Sequence, residues 1–169
     1  QAGEGTTFEI YLPRFDGEEM VHPDEVTVDA PQGQGETVLL VEDESMIREI
    51  AQAMLKKLGY RVLVADTPGE AVKLAKKHAV EIQLLITDVI MPEMSGLEVG
   101  EQFKGNPQFA ETPIIFLTAA YKTDEFQKKG YEVGAADYLL KPIDDNQLIN
   151  KISTYLRLIE KEREMNLQL

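Results

Sequence analysis

The feature that most constrains this chain is a set of short apolar runs separated by longer segments with helical periodicity. The runs are Val38–Val41, Arg61–Val64, Leu84–Ile86, Ile114–Leu117 and Tyr138–Leu140, each rich in β-branched, aromatic or leucine side chains. After the first run, Ile47, Ile50, Ala51, Met54, Leu55 and Leu58 stand at i, i+3, i+4, i+7, i+8 and i+11, the apolar stripe of a helix, and Gly59 stops it. Thr67-Pro68-Gly69-Glu70 combines a capping-box pattern with proline at the first helical position, and Ala71, Leu74, Ala75 and His78 then share a face. Shorter helical patterns cover Ser95–Phe103 and Thr123–Val133. From Asp144 onward Leu148, Ile152, Tyr155, Leu156 and Ile159 again fall at helical spacing. Strand and helix therefore alternate five times. Strands that read as continuous apolar runs are buried on both faces, which predicts a parallel sheet with helices on either side.

The charge divides the chain. Residues 1–36 hold nine acids and one base, a net of −8 within a total of −13. From Pro13 to Gly35, acids are interspersed with proline and glycine and show little apolar periodicity, the composition of a linker. Before it, Phe8, Ile10 and Leu12 alternate with Glu9 and Tyr11, the pattern of one short strand, which cannot be stable alone. The expected organisation is a strand remnant over 1–13, an acidic linker over 14–36, an α/β domain over 37–158 and a helical extension over 159–169. In that extension Glu160-Lys161-Glu162-Arg163-Glu164 carries the last helix past its apolar pattern. It reads either as a solvated helix end or as a connector to another module or a second copy, giving a homodimer through the last helix. Because the chain opens on Gln1, it is read as a piece of a longer protein.

Composition removes several classes. There is no cysteine and only two histidines, so a bound metal must be held mainly by oxygen. No apolar run approaches the roughly 20 residues needed to span a bilayer. No secretory leader pattern opens the chain, and a cytoplasmic location is expected. A net charge of −13 opposes binding to a phosphate backbone, so no nucleic-acid partner is expected. His22 and His78 have no neighbours that suggest catalysis and read as solvated.

In an open parallel α/β sheet, ligands bind beyond the carboxyl ends of the strands. Four of the five runs end there in polar groups: Glu42-Asp43 after the first, Asp88 after the third, Thr118 after the fourth and Lys141-Pro142 after the fifth. Three carboxylates, one hydroxyl and one ammonium from distant segments would share one edge. Clustered carboxylates repel, and a divalent cation removes that penalty. An oxygen-only acidic site suits Mg²⁺, which commonly uses one or two carboxylates together with phosphate oxygens. Lys141 offers a positive charge to a phosphate oxygen, Thr118 a hydroxyl, and one carboxylate can attack phosphorus to give an acyl phosphate. Asp88, at the centre of the edge, is the expected nucleophile.

These residues carry a resemblance. Val38–Glu44 (VLLVEDE), Ile86–Gly96 (ITDVIMPEMSG), Pro113–Ala119 (PIIFLTA) and Gly134–Pro142 (GAADYLLKP) resemble the receiver domain of two-component signalling, in its order and spacing, over roughly residues 37 to 158. The resemblance implies a flavodoxin-like, doubly wound five-stranded parallel sheet of order 2-1-3-4-5. It implies that Asp88 is the phosphoacceptor, that Glu42, Asp43, Asp88 and the backbone carbonyl of Ile90 hold Mg²⁺, and that Lys141 binds the phosphoryl group. Thr118 and Tyr138 would be the switch pair. Pro92, Gly96 and a cis Lys141-Pro142 peptide would fit the family's turns. Ile90 and Ala120 would tune the lifetime of the phosphoryl group, because the side chains at those positions overhang the approach of water. The implied partner is a histidine kinase or a histidine phosphotransfer domain.

A second resemblance covers only Gly3-Glu4-Gly5-Thr6-Thr7-Phe8-Glu9-Ile10-Tyr11-Leu12-Pro13, which is similar to the last glycine-rich box and final strand of histidine-kinase ATP-binding domains. Together the two imply a hybrid histidine kinase whose attached receiver is retained here without the kinase core. This chain alone is then not expected to bind ATP. Two alternatives use the same residues. A Mg²⁺-dependent aspartyl-phosphate phosphatase or phosphotransferase of the haloacid dehalogenase type carries a second aspartate two residues after the nucleophile, where this chain has Ile90. A pseudo-receiver that only binds partners would lack one of Asp43, Asp88 or Lys141, and all three are present. An FMN site would need a Ser-, Thr- or Gly-rich loop after Val41, which is not there.

Overall fold

The computed structural model describes residues 33–119 and 124–168, except for the side chains of 124–127. The elements run β1 (Thr37–Val41), α1 (Ser45–Lys57), β2 (Arg61–Ala65), α2 (Pro68–Lys77), β3 (Ile82–Asp88), α3 (Gly96–Lys104), a 3₁₀ turn (Pro107–Phe109), β4 (Ile114–Thr118), α4 (Asp124–Val133), β5 (Ala135–Leu140) and α5 (Asp145–Leu167). The five strands form one sheet of order β2-β1-β3-β4-β5, and every pairing is parallel. This is the doubly wound, flavodoxin-like arrangement that the sequence predicts.

Strand alternation sorts the core into two halves. Leu39, Val41, Leu85, Ile114 and Phe116 face one way and pack with Ala71, Ala75, Val99 and Phe103 of α2 and α3. Val38, Leu40, Leu84, Ile86, Ile115 and Leu117 face the other way and pack with Ala51 and Leu55 of α1 and Leu148, Ile152 and Leu156 of α5. Burial of each large aliphatic or aromatic side chain among these contributes about 1.5–3 kcal/mol, so both layers are needed. Only the interior strands β1, β3 and β4 are buried almost throughout, since edge strands β2 and β5 have a neighbour on one side alone.

Local signals set the helix ends. In α1, the Tyr60 N–H bonds Leu55 O at 3.1 Å and the Gly59 N–H bonds Lys56 O at 3.0 Å, with Gly59 at φ +88°, so glycine is needed at this Schellman turn. Ser95 and Glu98 close a reciprocal capping box on α3. Thr67 caps α2 through the Glu70 N–H, while the Glu70 carboxylate reaches the Asp66 N–H instead of returning to Thr67.

Several details differ from the sequence reading; β3, for one, runs Ile82–Asp88 rather than Leu84–Ile86. β5 begins at Ala135 rather than Tyr138; its small first residues carry little strand propensity and are held by pairing with β4. On the free edge of β5, α5 covers two outward carbonyls: Lys151 Nζ bonds Tyr138 O at 2.7 Å and Tyr155 Oη bonds Ala136 O at 2.8 Å. His78 is not solvated. Its side chain is 16% exposed, because α2 ends there and the chain turns back, and Nδ1 lies 3.4 Å from Glu81 Oε2. Gly33–Glu36 also pack: the Gly33 N–H bonds Leu58 O at 2.6 Å and the Gly35 N–H bonds Gly59 O at 3.2 Å. The expected strand Phe8–Leu12, His22 and most of the acidic segment lie outside the described residues. Among the described residues no helix is long and apolar enough to cross a membrane.

Candidate functional site

The register brings the four strand ends together. Asp88, the last residue of β3, stands beside Leu117, and Thr118 stands beside Leu140, so Lys141 is the next residue out. The Lys141 N–H bonds Thr118 O at 2.8 Å and the Val89 N–H bonds Leu117 O at 3.1 Å, which carries the sheet's alignment into the loops. The Lys141-Pro142 peptide is cis.

Glu42, Asp43 and Asp88 each present one carboxylate oxygen within 4.8 Å of the others. Glu42 is fully buried, Asp88 nearly so, and Asp43 is exposed. Lys141 Nζ lies 2.8 Å from Glu42 Oε2 and 3.1 Å from Asp88 Oδ2. The Glu42 contact is a short ion pair without hydrogen-bond alignment, and Oε2 is a buried oxygen with no hydrogen-bond partner. Its other oxygen, Oε1, accepts from the Glu44 N–H at 3.1 Å. Burial pushes the Glu42 pKa up; the Lys141 contact opposes that rise and the Asp88 charge adds to it. Burial pulls Lys141 down, but its contacts with Glu42 and Asp88 together outweigh burial and leave its pKa raised.

The donor set fits a hard divalent cation. It is made of oxygen atoms alone, and the three carboxylates converge. Ile90, two residues past Asp88, is 59% exposed.

The phosphoacceptor candidate has a fixed main chain. Thr87 Oγ1 donates to Asp88 O at 3.0 Å, and a Cβ on Gly96 would stand 1.9 Å from that same oxygen, so the loop closes only with glycine there. Glu93 takes φ +69° in this loop.

Thr118 is buried at the end of β4, and Tyr138 is buried one strand over. The Tyr138 ring packs 5.7 Å from Phe116 and meets Tyr131 edge-on at 6.0 Å. A Cβ on Gly130 would lie 1.6 Å from Tyr138 Oη, so the phenol occupies the space that α4 leaves at that glycine. Ala120 lies outside the described residues.

Two polar contributors escaped the sequence reading. Thr87 sits inside an apolar run and gave no signal. Arg48 did: it is a cation close to the N-terminus of α1, where the helix dipole favours anions. Its Nη1 donates to Glu42 O at 2.8 Å and to Asp43 O at 2.9 Å.

Comparison with known proteins agrees with this geometry. The family model described as the response regulator receiver domain matches residues 38–153. The phosphate regulon transcriptional regulatory protein PhoB of Pseudomonas aeruginosa is 35% identical over 127 residues, covering 73% of this chain and 52% of that protein. The chain thus spans about half the length of the curated relatives it matches. Among solved structures, the chemotaxis protein CheY4 of Vibrio cholerae superposes with a TM-score of 0.67 at 31% identity, covering 72% of this chain and 98% of that one. The receiver domain of sensor histidine kinase PA1611 from Pseudomonas aeruginosa, with a magnesium ion coordinated in its active site cleft, gives 0.65 at 27% identity, covering 72% and 98%.

Proposed function

The chain belongs to the response regulator receiver domain family, and on that premise we propose that it accepts a phosphoryl group from a phosphohistidine onto Asp88, with Mg²⁺, and changes shape in a two-component phosphorelay. The observation that carries this reading is the convergence of Glu42, Asp43, Asp88 and Lys141 from three strand ends onto one point of the sheet edge.

In the transfer, a carboxylate oxygen of Asp88 forms a bond to phosphorus as the bond from phosphorus to the imidazole nitrogen breaks. The electron pair leaves with the imidazole, and the product on this chain is an acyl phosphate. Glu42, Asp43, Asp88 and the Ile90 carbonyl are the proposed holders of the ion. When bound, Mg²⁺ supplies charge neutralisation for phosphoryl oxygens. Lys141 holds Asp88 by an ion pair before transfer and offers its ammonium to the phosphoryl group afterwards. Thr118 supplies a hydroxyl toward the new group, and Tyr138 then adjusts its packing between β4 and α4, which alters the face of α4, β5 and α5. Ile90 shields the acyl phosphate from water.

The proposed donor is a histidine kinase or a histidine phosphotransfer domain, whose histidine-bearing surface must reach Asp88. Beside the site α1 exposes Met46 (68%) and Ile50 (46%), and Ile90 stands nearby, giving such a surface apolar contacts. The parent is proposed to be a cytoplasmic hybrid histidine kinase, on the resemblance of Gly3–Pro13, which lies outside the described residues. The proposed domain limits are 37–158, with 1–13, 14–36 and 159–169 as the kinase-strand remnant, linker and helical extension. α5 runs to Leu167 with every described residue after Ile159 exposed, and Leu158 and Met165 on that surface support contact with a second copy. No nucleic-acid partner is proposed, given the net charge of −13.

The test is transfer from a radiolabelled, phosphorylated histidine phosphotransfer domain. Label should appear on the wild-type chain in Mg²⁺ and not on Asp88→Asn; label on both would refute the assignment of Asp88.

A further inference from the structure

We infer that Arg48 is a positioning residue for the acidic pair, acting through the main chain of Glu42 and Asp43 to set the affinity of the site for a divalent cation. The inference rests on the proposed Mg²⁺ reading of that site.

One nitrogen of Arg48 makes both contacts: Nη1 lies 2.8 Å from Glu42 O and 2.9 Å from Asp43 O. A terminal guanidinium nitrogen carries two hydrogens, so each carbonyl receives its own bond. Both bonds are charge-assisted, and hydrogen bonds of that kind are about twice as strong as neutral ones. The two carbonyls belong to successive peptide planes just past β1, where the last tie to the sheet is the Glu42 N–H to Ala65 O at 3.1 Å. Fixing those planes fixes the directions in which the Glu42 and Asp43 side chains leave the backbone.

The side-chain end of the same turn is tied as well, because Glu42 Oε1 accepts from the Glu44 N–H at 3.1 Å. The Glu42 carboxylate cannot swing away without breaking that bond, and the peptide planes cannot rotate without breaking those of Arg48. Asp43 depends more on Arg48, since it is exposed. Arg48 stands near the N-terminus of α1, where the helix dipole disfavours a cation, and the acids that offset this are Glu44 at the N-cap and the preceding Glu42 and Asp43 rather than a residue of the first turn.

Charge and position make opposite predictions here. A guanidinium beside a cation site repels the cation, so by Coulomb's law alone its removal strengthens binding. If Arg48 positions the ligands, its removal weakens binding, and loss of an outer partner of a metal ligand typically costs tenfold or more. The sign of the change separates the two.

The experiment is a Mg²⁺ titration of the whole chain followed by amide chemical shifts, for wild type, Arg48→Met and Arg48→Lys, with the metal-free thermal midpoint measured for each. Arg48→Met is expected to bind Mg²⁺ roughly tenfold more weakly at a nearly unchanged metal-free midpoint. Arg48→Lys, which keeps the charge but not the reach and geometry of the guanidinium, is expected to fall between. Equal or tighter binding by Arg48→Met overturns the inference, as does a loss of affinity that only follows a collapse of the metal-free midpoint. If Arg48→Met does not fold, Arg48→Lys decides: weaker binding supports positioning, and wild-type binding overturns it. Failure of the wild type itself to bind Mg²⁺ overturns the magnesium reading and this inference with it, and is distinguished by affecting all three chains alike.

Discussion

Lys141 Nζ lies 2.8 Å from Glu42 Oε2, so an ammonium from the loop after β5 neutralises a carboxylate buried at the end of β1. Lys141 also reaches Asp88 at 3.1 Å, and one side chain therefore spans the site from its far edge to its centre.

Lys141→Met leaves Glu42 buried without its counter-charge. The variant is expected to lose about 1–3 kcal/mol, the usual cost of an uncompensated buried polar group at a partly open site. Mg²⁺ should recover more of the thermal midpoint in this variant than in wild type, because the competing cation is gone. Melting curves with and without Mg²⁺ check both statements, and an equal Mg²⁺ gain in the two chains would contradict the second.

Gly130→Ala tests the seat of Tyr138. The new Cβ would lie 1.6 Å from Tyr138 Oη, so the phenol must leave its place between β4 and α4. Burial holds the Tyr138 pKa above the ordinary value, with a further push from Tyr131, and that rise should disappear. Stability should fall by about 1–3 kcal/mol, as for overpacking elsewhere. Ring chemical shifts and a tyrosinate absorbance titration give the readout; an unmoved Tyr138 would show that α4 shifts instead.

How far the sequence anticipates this site depends on the kind of signal each residue leaves. Glu42, Asp43, Asp88, Thr118 and Lys141 interrupt or follow apolar runs, and a parallel sheet collects its strand ends on one edge, so their meeting is legible before any coordinates. The complete burial of Glu42 is not, because it depends on where Lys141 returns in space. The role of Gly130 is likewise hidden, since only the packing of β5 against α4 shows that a methyl group has no room. The start of β5 and the burial of most of the His78 side chain follow from tertiary neighbours that local propensity does not report. Arg48 stands between these cases: its conflict with the helix dipole is visible, but its carbonyl partners are not.

Alkaline pH should lower stability. Burial raises the pKa of Tyr60, Tyr138 and Tyr155 above 10.0, and contacts with Glu42 and Asp88 raise Lys141 above 10.5 against the pull of burial. For a group whose folded pKa is raised, the unfolded chain releases its proton first. The stability it contributes is complete below the unfolded pKa and is lost as pH rises through the folded one. Lys104, lowered by burial, acts in the opposite sense but is a single group. The thermal midpoint should therefore fall as pH rises above 10.0, in step with late tyrosinate absorbance, and a midpoint that rises there would contradict these environments.

Ile90 governs access of water to the acyl phosphate in the proposed function. The residue is 59% exposed two positions past Asp88, and its branched apolar side chain offers no hydrogen bond to orient an attacking water. Ile90→Asn combined with Ala120→Glu should shorten the lifetime of the phosphorylated chain severalfold, without weakening Mg²⁺ binding. Decay after removal of the donor measures it, and an unchanged or slower decay would place lifetime control elsewhere in the site.

In the proposed function Asp88 is the acceptor of a phosphoryl group in a Mg²⁺-dependent reaction. Incubating the chain with Mg²⁺ and a small acyl phosphate, followed by intact-mass measurement, tests it without any partner protein. The expected result is the addition of one phosphoryl group to wild type, lost in Asp88→Asn and lost again when Mg²⁺ is chelated. Addition that persists in Asp88→Asn, or a wild-type mass that does not change in the presence of Mg²⁺, would contradict it.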